Sequence, residues 1–446
     1  MEARPALDNG ALGREAWSVL GANRTGSCTV PAPGLYPHQW NWDTAFVVAG
    51  LARWDTRRAG AELLGLMEGQ WRTGMVPHIV FHPSHASHAE TYFPGPAFWR
   101  SRDHPASPRR VPTSGLTQPP SQALALWWVW RHATDRDEAA ALVRRVHPML
   151  VAQHDHIAAT RDLGGGGLAA IVHPWESGMD DSPVWDAPLD ALPPLHPAYR
   201  GREPHGEPHG EPHGEPHGEP QTGHHDRYVW LASRYRDSGY DPAYLHDHPF
   251  AVEDPMFNGI WLASCEALAE LAPVAGADPA PHREAAERIR AALLERLWFD
   301  GLFHARDLRS GRLSPVCAVG SFGPLLDPGL PSDRVDTLVG VLESPRFMGA
   351  AGYPVPSCEI RSPQFDRSRY WRGPSWVITN WLLLRAADAH GRTELARLLA
   401  AGTLRLVRQA GFRECFDPFD GSGRGSRDFS ASAALTLDLL ADNVAV

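Results

Sequence analysis

The sequence predicts an all-α fold, an (α/α)6 toroid of six inner and six outer helices. Three observations predict it. Amphipathic stretches of helical period alternate with stretches that are apolar on nearly every side. No βαβ rhythm interrupts the alternation, and 446 residues with 43% hydrophobic content suffice for a large core. A helix apolar all round is buried all round, so the second kind forms an inner ring that the first kind wraps.

Taken in order, an outer helix is expected near residues 11–21 and an inner one at 43–53. Residues 57–71 place Ala59, Leu63, Leu66 and Met67 on one face, which marks an outer helix. An inner helix follows at 120–131, an outer one at 138–160 and an inner one at 256–269. Residues 282–298 put Ala286, Ile289, Leu293 and Leu297 on one face. The alternation then requires an inner helix at 314–324, although Gly320 and Gly323 fall inside it, before an outer one at 334–344. Residues 374–387 (inner), 394–410 (outer, opening at Thr393 and closing at Gly411) and 430–441 (inner) complete the ring. The whole chain, 1–446, is expected to be one domain. Residues 203–218 read EPHG four times within a polar stretch from about 193 to 225. Pro and Gly every four residues forbid helix and strand, so a flexible loop is expected there. Its regularly spaced histidines have no rigid geometry with which to ligate a metal.

Composition removes several classes of chemistry. All 42 basic residues are arginine, so Schiff-base chemistry, a pyridoxal phosphate anchor and a P-loop are excluded. A net charge of −10 argues against a nucleic-acid partner. Apolar runs are too short to span a membrane, and MEARPALDNG lacks the pattern of a secretory leader. Five scattered cysteines fit reduced thiols, and a cytoplasmic location is expected. No G-x-S-x-G, H-E-x-x-H or metal-spaced Cys/His set occurs, and GSGRG at 421–425 follows no expected strand and reads as a turn. The sequence leaves the oligomeric state open, a homo-oligomer included.

The 17 tryptophans are the strongest compositional signal, because flat rings with one N–H donor suit stacking on sugars. Any single Trp is more simply a core residue, but Trp40/Trp42, Trp175 and Trp371/Trp376 stand among polar neighbours. The aromatic and polar motifs precede inner helices: YPHQWNWD at 36–43, TQPP at 117–120, WESGMD at 175–180, DPMFN at 254–258, YWRGP at 370–374 and FRE at 412–414. Inner helices of a toroid run parallel, so these motifs converge on one mouth. Carboxylates dominate it: Asp43, Glu176, Asp180, Asp181, Asp254, Glu414 and Asp417. Two carboxyl groups flanking an acetal can protonate the leaving oxygen and activate a water. Asp43 and Asp254, at helix starts, are more simply caps; Asp180 and Glu414 lie in loops among Gly, Trp and Phe.

These motifs, with GMVPHIVF, YPVPS and FRECFDP, resemble glycoside hydrolase family 63, specifically its small bacterial mannosylglycerate and glucosylglycerate hydrolases. The resemblance runs from about Tyr36 to the C-terminus and implies an inverting mechanism without metal or cofactor. It implies Asp180 as general acid and Glu414 as general base. Sugar-subsite residues carry over to Tyr36, Trp40, Trp42, Asp43, Gln118, Trp175, Gly178, Tyr370, Trp371 and Trp376, with His78 at the same mouth. Cys415 and Ala431 replace expected aromatic residues, and the EPHG insert stands where relatives carry an arginine-bearing lid that grips the glycerate carboxylate. Arg200, Arg202 and Arg227 are the candidate replacements. The expected substrate is a small α-glucoside or α-mannoside, with glucosylglycerate and mannosylglycerate as the named candidates. A neutral-disaccharide α-glucosidase or trehalase-like enzyme is one alternative, and a non-catalytic sugar-binding toroid is another.

Overall fold

The computed structural model describes residues 8–26, 28–83, 89–195, 222–348 and 354–442. In chain order the helices are α1 (Asn9–Ala22), α2 (Asn41–Leu51), α3 (Thr56–Met67), α4 (Pro96–Trp99), α5 (Gln122–His132), α6 (Arg136–Arg161) and α7 (Asp186–Asp190). They continue as α8 (Thr222–Asp237), α9 (Pro255–Ala275), α10 (Ala280–Arg296), α11 (Ser332–Glu343), α12 (Val377–Ala389), α13 (Thr393–Ala410) and α14 (Ser430–Ala441). Inner positions are held by α2, α5, α9, α12 and α14, and outer ones by α1, α3, α6, α10, α11 and α13, which gives the (α/α)6 toroid. Every residue of α2 is buried, whereas α3 buries Ala59, Leu63, Leu66 and Met67 and exposes the opposite side. Strands are two-residue pairings in the loops at the ring's ends.

The sixth inner position departs from expectation. Residues 314–318 are not helical, and a 3-10 helix, Val319–Leu326, packs in place of an α-helix. Pro324 and two glycines disfavour α-helix here. A Cβ on Gly323 would come within 2.5 Å of Met256 Cα, and one on Gly259 of α9 would strike the Gly323 backbone. Glycine thus permits a backbone-to-backbone approach that a wider α-helix with side chains could not make. A smaller difference is at α13, where Thr393 is the first helical residue rather than its cap.

The polar stretch expected as loop from 193 to 225 ends sooner, because α8 begins at Thr222; Tyr228, Leu231, Ala232 and Tyr235 bury one side of it. The EPHG repeats themselves, with Arg200 and Arg202, lie outside the described residues.

The ring closes between α2 and α14. A Cβ on Gly50 would overlap the Ala434 backbone, so these helices touch main chain to main chain. At the ring's other end from Phe429, buried Asp438 accepts from Arg53 Nε and Trp128 Nε1 (both 3.0 Å), Trp381 Nε1 (2.8 Å) and Arg385 Nη2 (2.6 Å). One carboxylate so satisfied ties the ends of four inner segments together. A continuous apolar core runs from Leu12 to Leu439. A second cluster, including Trp71, Trp99 and Tyr240, lies beneath the loops near Trp40. Among the described residues no helix is long and apolar enough to cross a membrane.

Candidate active site

A pocket of about 440 Å³ opens at the N-terminal ends of the inner helices. Eleven of the thirteen site residues expected from sequence line it: Tyr36, Trp40, Trp42, Asp43, Gln118, Gly178, Asp180, Tyr370, Trp371, Trp376 and Glu414. His78 and Trp175 do not. They stack on each other one layer out, with ring centroids 6.0 Å apart, and Trp175 also packs on His173 and Tyr228. Burial pushes His78 down to about 3, which keeps its ring neutral.

Three lining residues went unanticipated: Pro31, Ile378 and Phe429. Phe429 had a readable signal. Trp40, Trp376 and Phe429 are the N-cap residues of α2, α12 and α14, so an aromatic just before an inner helix faces the pocket.

The aromatic walls are built locally. Trp371 and Trp376 stack in parallel, 3.9 Å apart and 4° from coplanar, and Trp376 Nε1 donates to the Tyr370 carbonyl (3.2 Å). Trp42 leans on Trp371, and its amide donates to Gln118 Oε1 (3.1 Å), which ties the two pocket residues together. Gly178 has φ +72° and lies flat against Trp42, where a Cβ would come within 2.6 Å of the indole.

The expected carboxylates separate into two groups. Glu176 is fully buried and takes both terminal nitrogens of Arg161 (2.8 and 2.6 Å). Asp254 caps α9 by accepting from Phe257 N (2.9 Å). Asp417 is held by Arg367 (2.6 Å) and Arg424 (2.8 Å). Asp181 turns to Arg369 and Arg372. Only Asp43, Asp180 and Glu414 reach the cavity. Asp43 is not the cap of α2, a position occupied by Trp40; it sits in the first turn.

Asp180 follows a tightly braced turn. His173 Nδ1 accepts from Trp175 N (3.0 Å), Ser177 Oγ accepts from Met179 N (2.9 Å), and Trp185 Nε1 donates to the Met179 carbonyl (2.9 Å). Burial pushes the Asp180 carboxyl up to about 7, and the charges of Asp181 and Glu414 act in the same direction against its own amide. Asp43 is also raised to about 7, by burial first and then by Glu414. Glu414 is buried at the start of a hairpin that pairs Cys415 with Arg424. Its Oε1 accepts from Tyr36 Oη (2.9 Å) and Tyr370 Oη (3.1 Å), and its Oε2 from Ser426 N (2.9 Å). Sequence reasoning did not find Ser426, whose contribution is a backbone N–H.

An acid that holds its proton near neutrality, a fixed carboxylate and aromatic walls in one concave site are what acetal hydrolysis requires. Among the described residues no group of three or more His, Cys, Asp or Glu is arranged to hold a metal ion.

Comparison with known proteins places the chain in a family. The family model described as "Mannosylglycerate hydrolase MGH1-like glycoside hydrolase domain" matches residues 36–432. A mannosylglycerate hydrolase of Thermus thermophilus is 40% identical over 428 residues, covering 95% of this chain and 99% of the relative. A glucosylglycerate hydrolase of Mycolicibacterium hassiacum is 36% identical over 455 residues, covering 98% and 99%. The crystal structure of the GH63 mannosylglycerate hydrolase from Thermus thermophilus with Tris superposes with a TM-score of 0.82 at 37% identity, over 96% of this chain and 99% of that one. The chain therefore belongs to the MGH1-like glycoside hydrolases of family 63.

Proposed function

We propose that the protein hydrolyses the α-glycosidic bond of a glucosyl- or mannosylglycerate with inversion, Asp180 acting as general acid and Glu414 as general base. The observation that carries this reading is the pairing of a carboxyl raised to about 7 with a separately anchored carboxylate in one aromatic pocket. The names of the relatives at 36–40% identity support the choice of substrate.

In this mechanism the hexose stacks among Trp40, Trp42 and the Trp371/Trp376 pair. Asp180 gives its proton to the glycosidic oxygen as the C1–O bond breaks. Glu414 takes a proton from the water that forms the new C1–O bond. An inverting site must seat that water beside the base, so the two carboxyl groups are expected roughly 6.5–9.5 Å apart rather than about 5 Å. We also propose that the toroid acts as a single catalytic domain.

The test is hydrolysis of a panel of α-glucosides and α-mannosides, with and without glycerate, followed by NMR of the first-formed sugar. A β-anomer from an α-substrate supports the proposal, and an α-anomer overturns inversion. One observation favours a second reading. Arg227, a candidate for the glycerate carboxylate, is held by Asp190 (2.6 Å) and does not line the pocket. Faster turnover of trehalose or another neutral disaccharide would select that reading.

A further inference from the structure

We infer that Tyr36 and Tyr370 are positioning residues for Glu414, which fill its Oε1 and leave one acceptor site, on Oε2, for the attacking water. This rests on the reading of Glu414 as the base. It gives the two tyrosines a role beyond lining the sugar site.

A carboxylate offers about four acceptor directions, two on each oxygen. Oε1 receives two phenol O–H groups, at 2.9 and 3.1 Å. Oε2 receives the Ser426 amide at 2.9 Å, while the Glu414 amide donates to the Ser426 carbonyl (3.0 Å), so side chain and main chain clasp the same residue. Gly425 makes that approach feasible: its φ is +64°, and a Cβ there would lie 2.5 Å from Oε2. One direction on Oε2 remains. Both phenols stay protonated, because burial and then the charge of Glu414 hold each well above the ordinary tyrosine range. They act as donors to a charged base.

The two hydroxyls also lie 3.1 Å from each other. Three oxygens therefore form a triangle that holds two protons. With Glu414 charged, both point at Oε1. Once Oε2 has taken the proton of the water, one phenol can turn its O–H toward the other. The triangle thus accommodates both ionisation states without moving a heavy atom. The backbone supports deliberate placement of Tyr370, whose φ of +25° is rare for a bulky residue. The other titratable groups around Glu414 are Asp43 from α2, Asp180 from the acid loop and Cys415 beside it, with Arg413 and Arg424 next to Cys415.

The experiment measures kcat, KM and the pH profile of Tyr36→Phe, Tyr370→Phe, Gly425→Ala and Glu414→Gln on the substrate identified by the panel. Each Tyr→Phe variant is expected to lose roughly ten- to a hundredfold in kcat, with KM within about threefold. Its acid limb should move up by about one pH unit, because a donor to the charged form has been removed. Gly425→Ala should lose kcat without touching either phenol. Raised KM with an unmoved acid limb would assign the tyrosines to sugar binding alone and overturn the inference, as would full activity of Gly425→Ala. Wild-type turnover by Glu414→Gln would instead overturn the base assignment itself, so the two failures are distinguishable.

Discussion

Arg369 grips Asp181 with two nitrogens, Nε to Oδ2 at 2.7 Å and Nη2 to Oδ1 at 2.5 Å, and so turns the neighbour of Asp180 away from the pocket. Asp181 has φ +61°, a left-handed backbone that Asp tolerates better than most residues. Two adjacent carboxylates thereby receive different environments. One is raised in the cavity, and the other is paired across to the loop that carries Tyr370 and Trp371.

Asp180→Asn is therefore expected to lose about 10²–10⁴ in kcat with substrate binding retained. Asp181→Asn should lose about tenfold or less, with the basic limb moved down, because a charge that raises Asp180 is gone. Steady-state kinetics and calorimetric binding of the unhydrolysed ligand distinguish these outcomes. Equal losses in the two variants would contradict the division of roles.

Activity should fall as pH rises through about 7, where Asp180 gives up its proton. Stability carries the matching sign. The folded protein keeps a proton on Asp180 that the unfolded chain releases near pH 4, so raising the pH from about 4 to about 7 weakens folding. Asp180→Asn should consequently raise Tm by roughly 1–3 °C at pH 8 and by less at pH 4. Scanning calorimetry at the two pH values checks the difference.

Gly178→Ala should leave the fold intact and raise KM at least about tenfold. The new methyl must displace the Trp42 indole, and alanine is strained at φ +72°. Unchanged KM would mean that the indole can shift without affecting the sugar.

Arg161→Met should destabilise the fold by about 3–5 kcal/mol by leaving Glu176 buried without its partner. Urea denaturation monitored by tryptophan fluorescence measures this loss. Arg161→Met/Glu176→Gln should recover part of it, which separates a broken ion pair from lost packing.

The helix alternation was legible because its cause is local: the width of a buried face shows in every turn of sequence. The sixth inner position was not, because Gly259 and Gly323 matter only once α9 and the 3-10 helix have met. The convergence of Trp40, Gln118 and Trp376 was readable from their shared place before inner helices. Asp180 does not share it: its loop leads into a 3-10 turn and α7, far ahead of α9, and Glu414 is parted from α14 by a hairpin. The destinations of Glu176 and Asp417 were not readable, since Arg161 and Arg367 are selected by tertiary packing. Ser426 and Gly425 escaped because they act through main chain, which residue type scarcely reports.

The close contact of Gly50 with Ala434 has a consequence for the order of events during synthesis. Trp40, Trp42 and Asp43 leave the ribosome early, but Glu414 and Phe429 leave only after most of the chain. A domain whose first inner helix must wait for α14 can collapse early around its sequential neighbours but has no complete pocket. Nascent chains halted before Ser430 should therefore be inert toward sugar and expose the apolar side of α2 to chaperones, with activity appearing only when the ring is joined.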